Sequence, residues 1–302
     1  MSAASPLVPG SRSGAKTMEA VAGRSLWEDA LRRLLRNQAA VAGMVVLGLL
    51  ILAAVFGPAL LPFDYDDVIK TDVYARPLQA GHLLGADYIG RDLLARTIVG
   101  LRVSLGIGIV ATLVSLIIGV AWGATAGFIG GRVDEVMMRI VDILFALPFV
   151  FFVILLMVTF GRNIFLIFLA IGAVEWLTMA RIVRGQTMSL KQAEFVEAAR
   201  AAGVPRSGII FRHIVPNLLG PVAVYVTLTI PGVILTESFL SFIGMGVQEP
   251  LTSLGTLISN GAANMELATW LIIFPSLAMV IMLMCFNFIG DGLRDAIDPK
   301  DR

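Results

Sequence analysis

Two carboxylates, Glu175 and Glu237, lie within long apolar stretches of the sequence and are the first candidates for chemistry. A carboxylate inside a membrane is costly, so it generally pairs with another group or lines a path for a polar solute. Glu175 can line a translocation path, contact a cationic group, or hydrogen-bond to a neighbouring helix. Glu237 closes a later apolar run, where it faces either a substrate cavity or the membrane interface. Both residues are therefore candidates for a translocation path.

Catalysis by this chain is disfavoured by where the other candidate residues lie. A Ser–His site within a membrane needs a histidine near the centre of a span, but the only two histidines, His82 and His213, fall in polar regions outside the apolar runs. An aspartyl pair needs two buried aspartates that face each other, whereas Asp142 and Asp291 lie at the ends of apolar runs.

Nucleotide chemistry and autonomous transport are disfavoured as well. The sequence lacks a G-x-x-x-x-G-K-[ST] loop, so the chain cannot cradle ATP phosphates itself, and no cofactor is expected in it. It shows no inverted repeat of the kind that secondary carriers often contain. The single cysteine, Cys285, lies in an apolar run, as is typical of a small core residue.

The segment from Glu194 to Asn217 is a charged interruption between two apolar runs, with three arginines, two glutamates and one histidine. Apolar residues at helical spacing predict a first short helix. Its apolar face consists of Phe195, Ala198, Ala199 and Ala202. Gly203 and Pro205 then give a helix stop signal, and a second short helix is predicted near 206–213. The segment 190–216 is therefore a helical hairpin that either docks into another protein or rests on the membrane surface.

The composition is that of an all-α integral membrane protein. Hydrophobic residues make up 57% of the 302 residues, charged residues make up 15%, and the mean hydropathy is +0.86. Soluble domains carry about 25% charged residues. Six apolar runs approach the roughly 20 residues that a transmembrane helix needs. These runs are Ala40–Leu61, Val103–Gly127, Ile143–Phe160, Ile164–Ile182, Leu218–Leu240 and Thr269–Ile289. The net charge of +1 gives no indication of a nucleic-acid partner.

Lysine and arginine are unevenly distributed between alternate loops. With both termini in the cytoplasm, 17 of the 23 basic residues lie on the inner side and six on the outer side. Because cytoplasmic loops carry the excess of positive charge, both termini and the hairpin are predicted to be cytoplasmic.

The predicted segments are a disordered cytoplasmic tail (1–23), an amphipathic interfacial helix (24–37), a first transmembrane helix (38–62), a periplasmic loop (63–100), a domain with five further transmembrane helices (101–290) and a cytoplasmic tail (291–302).

The predicted interfacial helix has the sequence RSLWEDALRRLLRN and lies just before the first span. Ser25 and Glu28 form a capping box at its start. Its apolar residues share one face and its arginines crowd elsewhere. A helix on the membrane surface and a cytoplasmic extension of the first span both fit this pattern.

Small residues recur at four-residue intervals along the second span. They are Ser115, Gly119, Gly123 and Gly127. Such a stripe lets another helix approach closely, so it predicts dense packing against a helix of this chain or of a partner.

The loop between the first two spans is rich in acidic residues and glycines, which predicts a solvated, turn-rich segment. Pro148 and Pro231 can kink the third and fifth spans.

Four stretches resemble one family of transport proteins. EAARAAG, at 197–203, resembles the EAA motif of bacterial ABC-importer permeases. The stretches HLLGADYIGRDLLAR (82–96), ESFLSFIGMGVQEPLTSLG (237–255) and NFIGDGLRDAIDPKDR (287–302) resemble signatures of the C-type permeases of oligopeptide and dipeptide importers. The resemblance runs from about Gly23 to the last residue. Leu254 stands where the family usually has tryptophan, and Glu249 stands where the dipeptide branch often has proline, which favours the oligopeptide branch.

The resemblance implies a type I ABC importer permease fold, in which the hairpin carries the coupling helix that docks into a cytoplasmic ATPase. The implied coupling residues are Phe195, Glu197, Ala198, Ala199, Arg200 and Gly203. The implied partners are a homologous B-type permease, two ABC ATPases that bind ATP and Mg, a periplasmic or lipid-anchored peptide-binding protein, the peptide and membrane lipid. The expected function is that of an oligopeptide permease in the bacterial inner membrane, with dipeptides, murein peptides or nickel chelates as alternative solutes. The chain is expected to be a transport subunit and not an enzyme.

Overall fold

The computed structural model describes residues 26–161 and 163–297 as a bundle of α-helices. The predicted tail 1–23, Ser25 of the capping box and residues 298–302 lie outside the described chain. The helices are α1 (Leu26–Arg36), α2 (Gln38–Leu60), α3 (Leu93–Ile129), α4 (Gly131–Ala146), α5 (Phe149–Phe160), α6 (Ile164–Leu190), α7 (Glu194–Ala201), α8 (Arg206–Ile209), α9 (Val215–Phe242), α10 (Leu254–Ala263) and α11 (Trp270–Ile297). A π-helix at Ile210–Ile214 joins α8 to α9, and a 3-10 turn covers Lys70–Asp72.

Five segments of the described chain are long and apolar enough to cross a membrane: α2, α3, α6, the continuous stretch from α8 to α9, and α11. A sixth crossing exists only if α4 and α5 are counted as one span, because this pair is bent by 81°. The predicted third span at Ile143–Phe160 therefore contains a sharp break, at the proline that was predicted to kink it. Pro148 explains the break, because proline disfavours helical backbone at the residue before it and cannot donate a helical hydrogen bond. Pro231, by contrast, lies inside the continuous α9.

The longest helix, α3, packs along α6 through the predicted stripe of small residues. A Cβ added at Gly123 would lie 2.4 Å from the carbonyl oxygen of Ala180, and one at Gly127 would lie 2.8 Å from the carbonyl oxygen of Arg184. Both contacts advance by four residues in the same direction, so the two helices are parallel. The stripe thus mediates packing within this chain, which is one of the two predicted options.

The remaining long helices complete the bundle around α3. Gly108 of α3 packs against Ile234, which makes α9 the second close neighbour of α3. Gly290 of α11 packs against Leu228 of α9, and Gly43 of α2 packs against the backbone of α11. As a result α3, α6 and α9 are the most buried long helices of the described chain, whereas α2 and α11 are the least buried.

The loop between α2 and α3 has two parts: residues 61–81 include no buried residue, as the composition predicts, whereas the part from His82 to Asp92 is largely buried. Its buried polar residues include His82, Asp87, Arg91 and Asp92. His82 Nδ1 lies 2.8 Å from Asp92 Oδ2, and the Phe63 ring stacks on the imidazole with a centroid distance of 4.6 Å. Asp92 also caps α3 by accepting a hydrogen bond from the Ala95 N–H at 2.7 Å. Burial of these charged side chains is tolerated because they have partners. The helix α3 begins at Leu93, so its first turns lie within the segment that was predicted to be a loop.

Asn37 alone separates α1 from α2. Its Oδ1 accepts hydrogen bonds from the N–H groups of Ala39 and Ala40, which caps α2. Its backbone is extended, with φ −77° and ψ 106°. The helical path therefore breaks here, and α1 is not a continuous extension of the first span. Leu34 of α1 packs instead near Ala296 of α11.

Replacing Gly123 with alanine is expected to lower the thermal stability of the protein, because the added Cβ meets the Ala180 carbonyl oxygen and forces α6 to shift. Overpacking of this kind typically costs about 1–3 kcal/mol. Gly106→Ala on the same helix is the matched control, since a Cβ there has no neighbour within 4 Å among the described residues. The measurement is the midpoint of thermal unfolding in detergent. Equal midpoints for the two variants would contradict this packing role.

Candidate functional site

The first helix of the hairpin, α7, ends in a left-handed glycine. Gly203 has a φ of +78°, a conformation that glycine adopts without steric cost. The Val204 N–H donates to the Ala199 carbonyl, and the Gly203 N–H donates to the Arg200 carbonyl, each at 3.1 Å. These two bonds form a Schellman motif, which satisfies carbonyls that the helix end leaves unpaired. The helix stop predicted at Gly203 is present, and it sets the direction of the chain into α8.

One face of α7 packs onto the transmembrane bundle. Val196 is 0% exposed and Ala199 is buried. Both belong to a core cluster that contains Phe128 of α3, Met179 of α6 and Ile214 at the start of α9. The hairpin is therefore fixed to the spans that it connects.

The opposite surface of α7 is open. Its exposed residues include Phe195, Glu197, Ala198 and Arg200, and Ala202 at the helix end is exposed as well. The prediction that Ala199 shares one open face with Phe195, Ala198 and Ala202 is wrong, because Ala199 is buried beside Val196 at i, i+3 spacing. Sequence analysis did not single out Val196. The exposed surface combines small side chains with charges of both signs, and it is available to another protein.

A π-helix accommodates Pro216 at the beginning of α9. A proline ring collides with the carbonyl four residues before it in a regular α-helix, and proline donates no hydrogen bond. Here the Val215 N–H donates to the carbonyl five residues earlier, which widens this turn. The Asn217 side-chain amide donates to the His213 carbonyl at 2.6 Å. The second half of the hairpin thus continues into the span without a break.

Glu237 lies in a closed polar cluster between α3, α9 and α10, and its side chain is 0% exposed. Its carboxylate accepts hydrogen bonds from the hydroxyls of Ser241 and Ser253, both at 2.6 Å, and from Ser104 at 3.4 Å. Ser104 in turn accepts from the Leu254 N–H at 3.1 Å. A buried carboxylate that is satisfied in this way holds the three helices together. Its place in a translocation path stays a prediction.

Glu175 lies on α6 and is half-buried. Its carboxylate makes no hydrogen bond or ion pair with residues 26–161 or 163–297. The neighbouring Trp176 packs edge-on against Trp122 of α3, with a centroid distance of 5.3 Å. Of the two intramembrane carboxylates, Glu175 is thus the one that remains available to a solute or to a partner. Its predicted place in the translocation path also stays a prediction.

A second polar cluster ties the outer loop to the segment between α9 and α10. Arg91 donates from Nε to Asp87 Oδ2 and from Nη2 to Glu249 Oε1, both at 2.8 Å. Arg96 is 1% exposed and lies 3.6 Å from Asp87 and 3.7 Å from Glu249. Sequence reasoning missed this cluster. The i, i+4 spacing of Asp87 and Arg91 was a local signal, but Glu249 is 158 residues from Arg91 in the sequence.

The electrostatics of this cluster favour an ionised Glu249. The hydrogen bond from Arg91 lowers the pKa of the Glu249 carboxyl; partial burial opposes this effect, and the charges of Arg91 and Arg96 reinforce it. The Tyr88 hydroxyl lies 3.3 Å from Glu249 Oε1, and burial raises the pKa of this hydroxyl. The outer loop and the α9–α10 segment are therefore joined by charge as well as by packing.

On the hairpin side, α4 is tied to α6 by two ion pairs. Arg184 Nη2 lies 2.6 Å from Asp134 Oδ2, and Arg181 Nη2 lies 2.8 Å from Asp142 Oδ1. In the described part of the chain, no three His, Cys, Asp or Glu side chains are placed to hold a metal ion. These four charged residues thus join α4 to α6.

The described spans carry a hairpin that is fixed to their ends and exposed on its far surface. The fold is similar to a chain of the inward-facing MetNI methionine ABC transporter, with a TM-score of 0.56 and 18% sequence identity. This likeness covers 68% of the present chain and 96% of that chain.

Sequence comparisons identify the family. Residues 119–302 match the binding-protein-dependent transport system inner membrane component, and residues 25–80 match the N-terminal TM domain of oligopeptide transport permease C. The chain is 56% identical over 281 residues to the oligopeptide transport system permease protein OppC of Haemophilus influenzae, which covers 93% of this chain and 90% of that protein. It is 55% identical over 283 residues to OppC of Escherichia coli K12, with coverages of 93% and 94%.

A dipeptide permease is also related. The chain is 41% identical over 279 residues to the dipeptide transport system permease protein DppC of Bacillus subtilis, which covers 92% of this chain and 87% of that protein. The chain therefore belongs to the family of binding-protein-dependent transport system inner membrane components. It is a multi-pass permease subunit of a transport system and not an enzyme.

Replacing Gly203 with valine is expected to weaken the association of the hairpin with an ATPase subunit. A non-glycine residue in left-handed backbone costs about 1–2 kcal/mol, and asparagine adopts it more readily. Space is not limiting, because a Cβ at Gly203 has no neighbour within 4 Å among the described residues. Gly203→Asn is therefore the matched control, and the measurement is the amount of ATPase that co-purifies. If the valine variant retains the wild-type amount, the left-handed turn is not required.

Acid is expected to loosen the outer loop. Since the folded-state pKa of Glu249 is lowered, its stabilising effect is fully present above the ordinary glutamate pKa and is lost as the pH falls through the lowered value. Hydrogen exchange over residues 85–96, corrected for intrinsic rates, should rise by about two- to fivefold, because a partly exposed pair is worth under about 1 kcal/mol. Glu249→Gln should show the faster exchange already at neutral pH. An unchanged exchange rate in that variant would rule out the pair as a tether.

Proposed function

We propose that this chain is the permease subunit of an ATP-driven oligopeptide importer and forms half of its translocation path. The main support is its 56% and 55% identity to the two oligopeptide permeases, over almost their full lengths. Glu249 at the position where the dipeptide branch often carries proline supports the same assignment.

The exposed surface of α7 is the proposed contact with the ATPase. The predicted coupling residues Phe195, Glu197, Ala198 and Arg200 are exposed on it, Ala199 anchors the helix, and Gly203 sets the turn. Because Val196 and Ala199 pack against α3, α6 and α9, a displacement of the docked hairpin moves the ends of these spans with it. ATP binding would draw two ATPases together, and the spans would then change between inward-open and outward-open packings.

The proposed complex contains a homologous B-type permease, two ATPases and a periplasmic or lipid-anchored peptide-binding protein. ATP and Mg bind the ATPases in this proposal, since the chain lacks a phosphate-binding loop. The complex lies in the bacterial inner membrane with both termini of this chain in the cytoplasm, as the distribution of 17 inner and six outer basic residues supports. The segment that contains α1 lies at the membrane interface.

Glu175 is the stronger of the two candidates for the peptide path. Its carboxylate is half-buried and has no partner among the described residues, so it can meet the ammonium group or a backbone N–H of a peptide. Glu237 is occupied by three serine hydroxyls. We propose that Glu237 fixes the shape of the path wall and does not contact the peptide directly.

A second candidate function is the import of dipeptides or of another peptide-like solute, such as a murein peptide or a nickel chelate. The 41% identity to a dipeptide permease favours this alternative. Uptake of a labelled tripeptide by cells that express the whole importer, in the presence of excess unlabelled dipeptide or longer peptide, separates the two. Competition by the longer peptide alone supports the oligopeptide assignment, and competition by dipeptide alone overturns it.

Reversing the charge of Glu197 tests the coupling role. Glu197→Lys is expected to reduce ATPase co-purification by at least about tenfold and to abolish peptide uptake, because disrupting an interfacial charge contact costs about 2–5 kcal/mol. Glu135→Lys is the matched control, since Glu135 is exposed on α4 outside the hairpin and makes no ion pair within the described chain. Both variants should reach the membrane and bind the B-type permease equally. Normal uptake by Glu197→Lys would refute this role for the hairpin.

A further inference from the structure

A cavity of about 390 Å³ opens between α6, α9 and α11 near the hairpin end of the bundle. Its wall on α9 is formed by residues at i, i+3, i+4 and i+7 spacing, which share one helix face. These residues are Pro221, Val224, Tyr225 and Leu228. Gln186 of α6 and Arg294 of α11 supply the other walls. This volume lies within the range of about 300–1,000 Å³ typical of ligand sites.

Two contacts between α9 and α11 frame the cavity. At the deep end a Cβ on Gly290 would meet Leu228 at 2.9 Å, and at the hairpin end a Cβ on Gly220 would meet Ile297 at 3.5 Å. Gly290, Arg294 and Ile297 are spaced i, i+4 and i+7, so Arg294 lies on the face of α11 that is turned towards α9. The Arg294 side chain is exposed, so its guanidinium lies at the open mouth of this gap between the two helices.

Three polar groups at this cavity have no protein partner. The Gln186 amide, the Tyr225 hydroxyl and the Arg294 guanidinium make no side-chain hydrogen bond or ion pair within residues 26–161 and 163–297. All three can donate hydrogen bonds. Acidic neighbours of Arg294 on α11 do not line the cavity, and Asp295 lines a different cavity beside Arg33. The cavity therefore presents donors and one positive charge.

The polarity of the cavity changes with depth. From Pro221 to Leu228 the helix rises about 10 Å. Gln186 and Arg294 lie within the last two turns of their helices, at the hairpin end, while Leu228 closes the deep end. A polar mouth above an apolar floor matches a molecule whose anionic head continues into an apolar body.

We propose that this cavity binds a phospholipid with a net negative headgroup, such as phosphatidylglycerol, from the leaflet on the hairpin side. The phosphate accepts hydrogen bonds from Arg294, Tyr225 and Gln186, and the glycerol and upper acyl chain contact Val224 and Leu228. Basic pockets between membrane helices on the cytoplasmic side are known to accept anionic headgroups. A peptide carboxylate would use the same donors but would gain little from the apolar floor.

The test titrates dioctanoyl-phosphatidylglycerol and dioctanoyl-phosphatidylcholine onto the delipidated, intact transporter complex and counts bound lipid by native mass spectrometry. Arg294→Gln is expected to weaken phosphatidylglycerol binding by about tenfold, which corresponds to about 1.4 kcal/mol, and Tyr225→Phe by a smaller factor. Arg139→Gln is the matched control, because Arg139 is exposed on α4 and has no ion pair among the described residues. It should bind phosphatidylglycerol as the wild type does.

Three results would overturn the lipid site: equal binding by the Arg294→Gln and Arg139→Gln variants, equal binding of the two lipids to the wild type, or displacement of the lipid by a tripeptide with a free carboxylate. The last result would assign the cavity to peptide instead. If Arg294→Gln does not assemble, the comparison of the two lipids on the wild-type complex still decides. This proposal does not depend on which solute the importer carries.

Discussion

Backbone contact between α3 and α6 is the constraint on which the rest of the structure depends. Lipid tails are as apolar as leucine, so membrane helices associate through close packing and not through a hydrophobic driving force. The absence of side chains at Gly123 and Gly127 lets the carbonyls of α6 approach α3 at van der Waals distance. Since α3 begins at the outer polar cluster and α6 leads into α7, this contact connects the two faces of the membrane.

The hairpin is part of the bundle and not an appendage. Val196 and Ala199 lie in the same core cluster as residues of α3, α6 and α9, so the hairpin cannot move without those helix ends. The π-helix before α9 keeps the return path helical despite Pro216. At the other membrane face, Arg91 and Glu249 link the outer loop to the segment after α9. The spans are thus bound into a unit at both ends.

Local patterns in the sequence were sufficient to predict several structural elements. The end of α7 at Gly203 could be predicted because it depends only on the backbone conformation of that residue. The close packing of α3 could be predicted because its small residues recur at four-residue spacing. Long-range partners were not accessible in this way. Nothing near Glu237 in the sequence shows that Ser104 and Ser253 close around it. In the same way, nothing in the outer loop shows that Asp87 and Arg91 are buried beside Glu249. Val196 was missed because a single valine gives no periodic signal.

The break between α4 and α5 determines what the sixth crossing needs from its surroundings. At 1.5 Å per residue, the 12 residues of α5 extend about 18 Å, well short of the roughly 30 Å of a bilayer's hydrocarbon interior. Non-helical backbone at membrane depth is tolerated only where protein or water surrounds it. The sixth crossing therefore reaches full length only with the contribution of α4, and the backbone at Pro148 then needs protein or water around it.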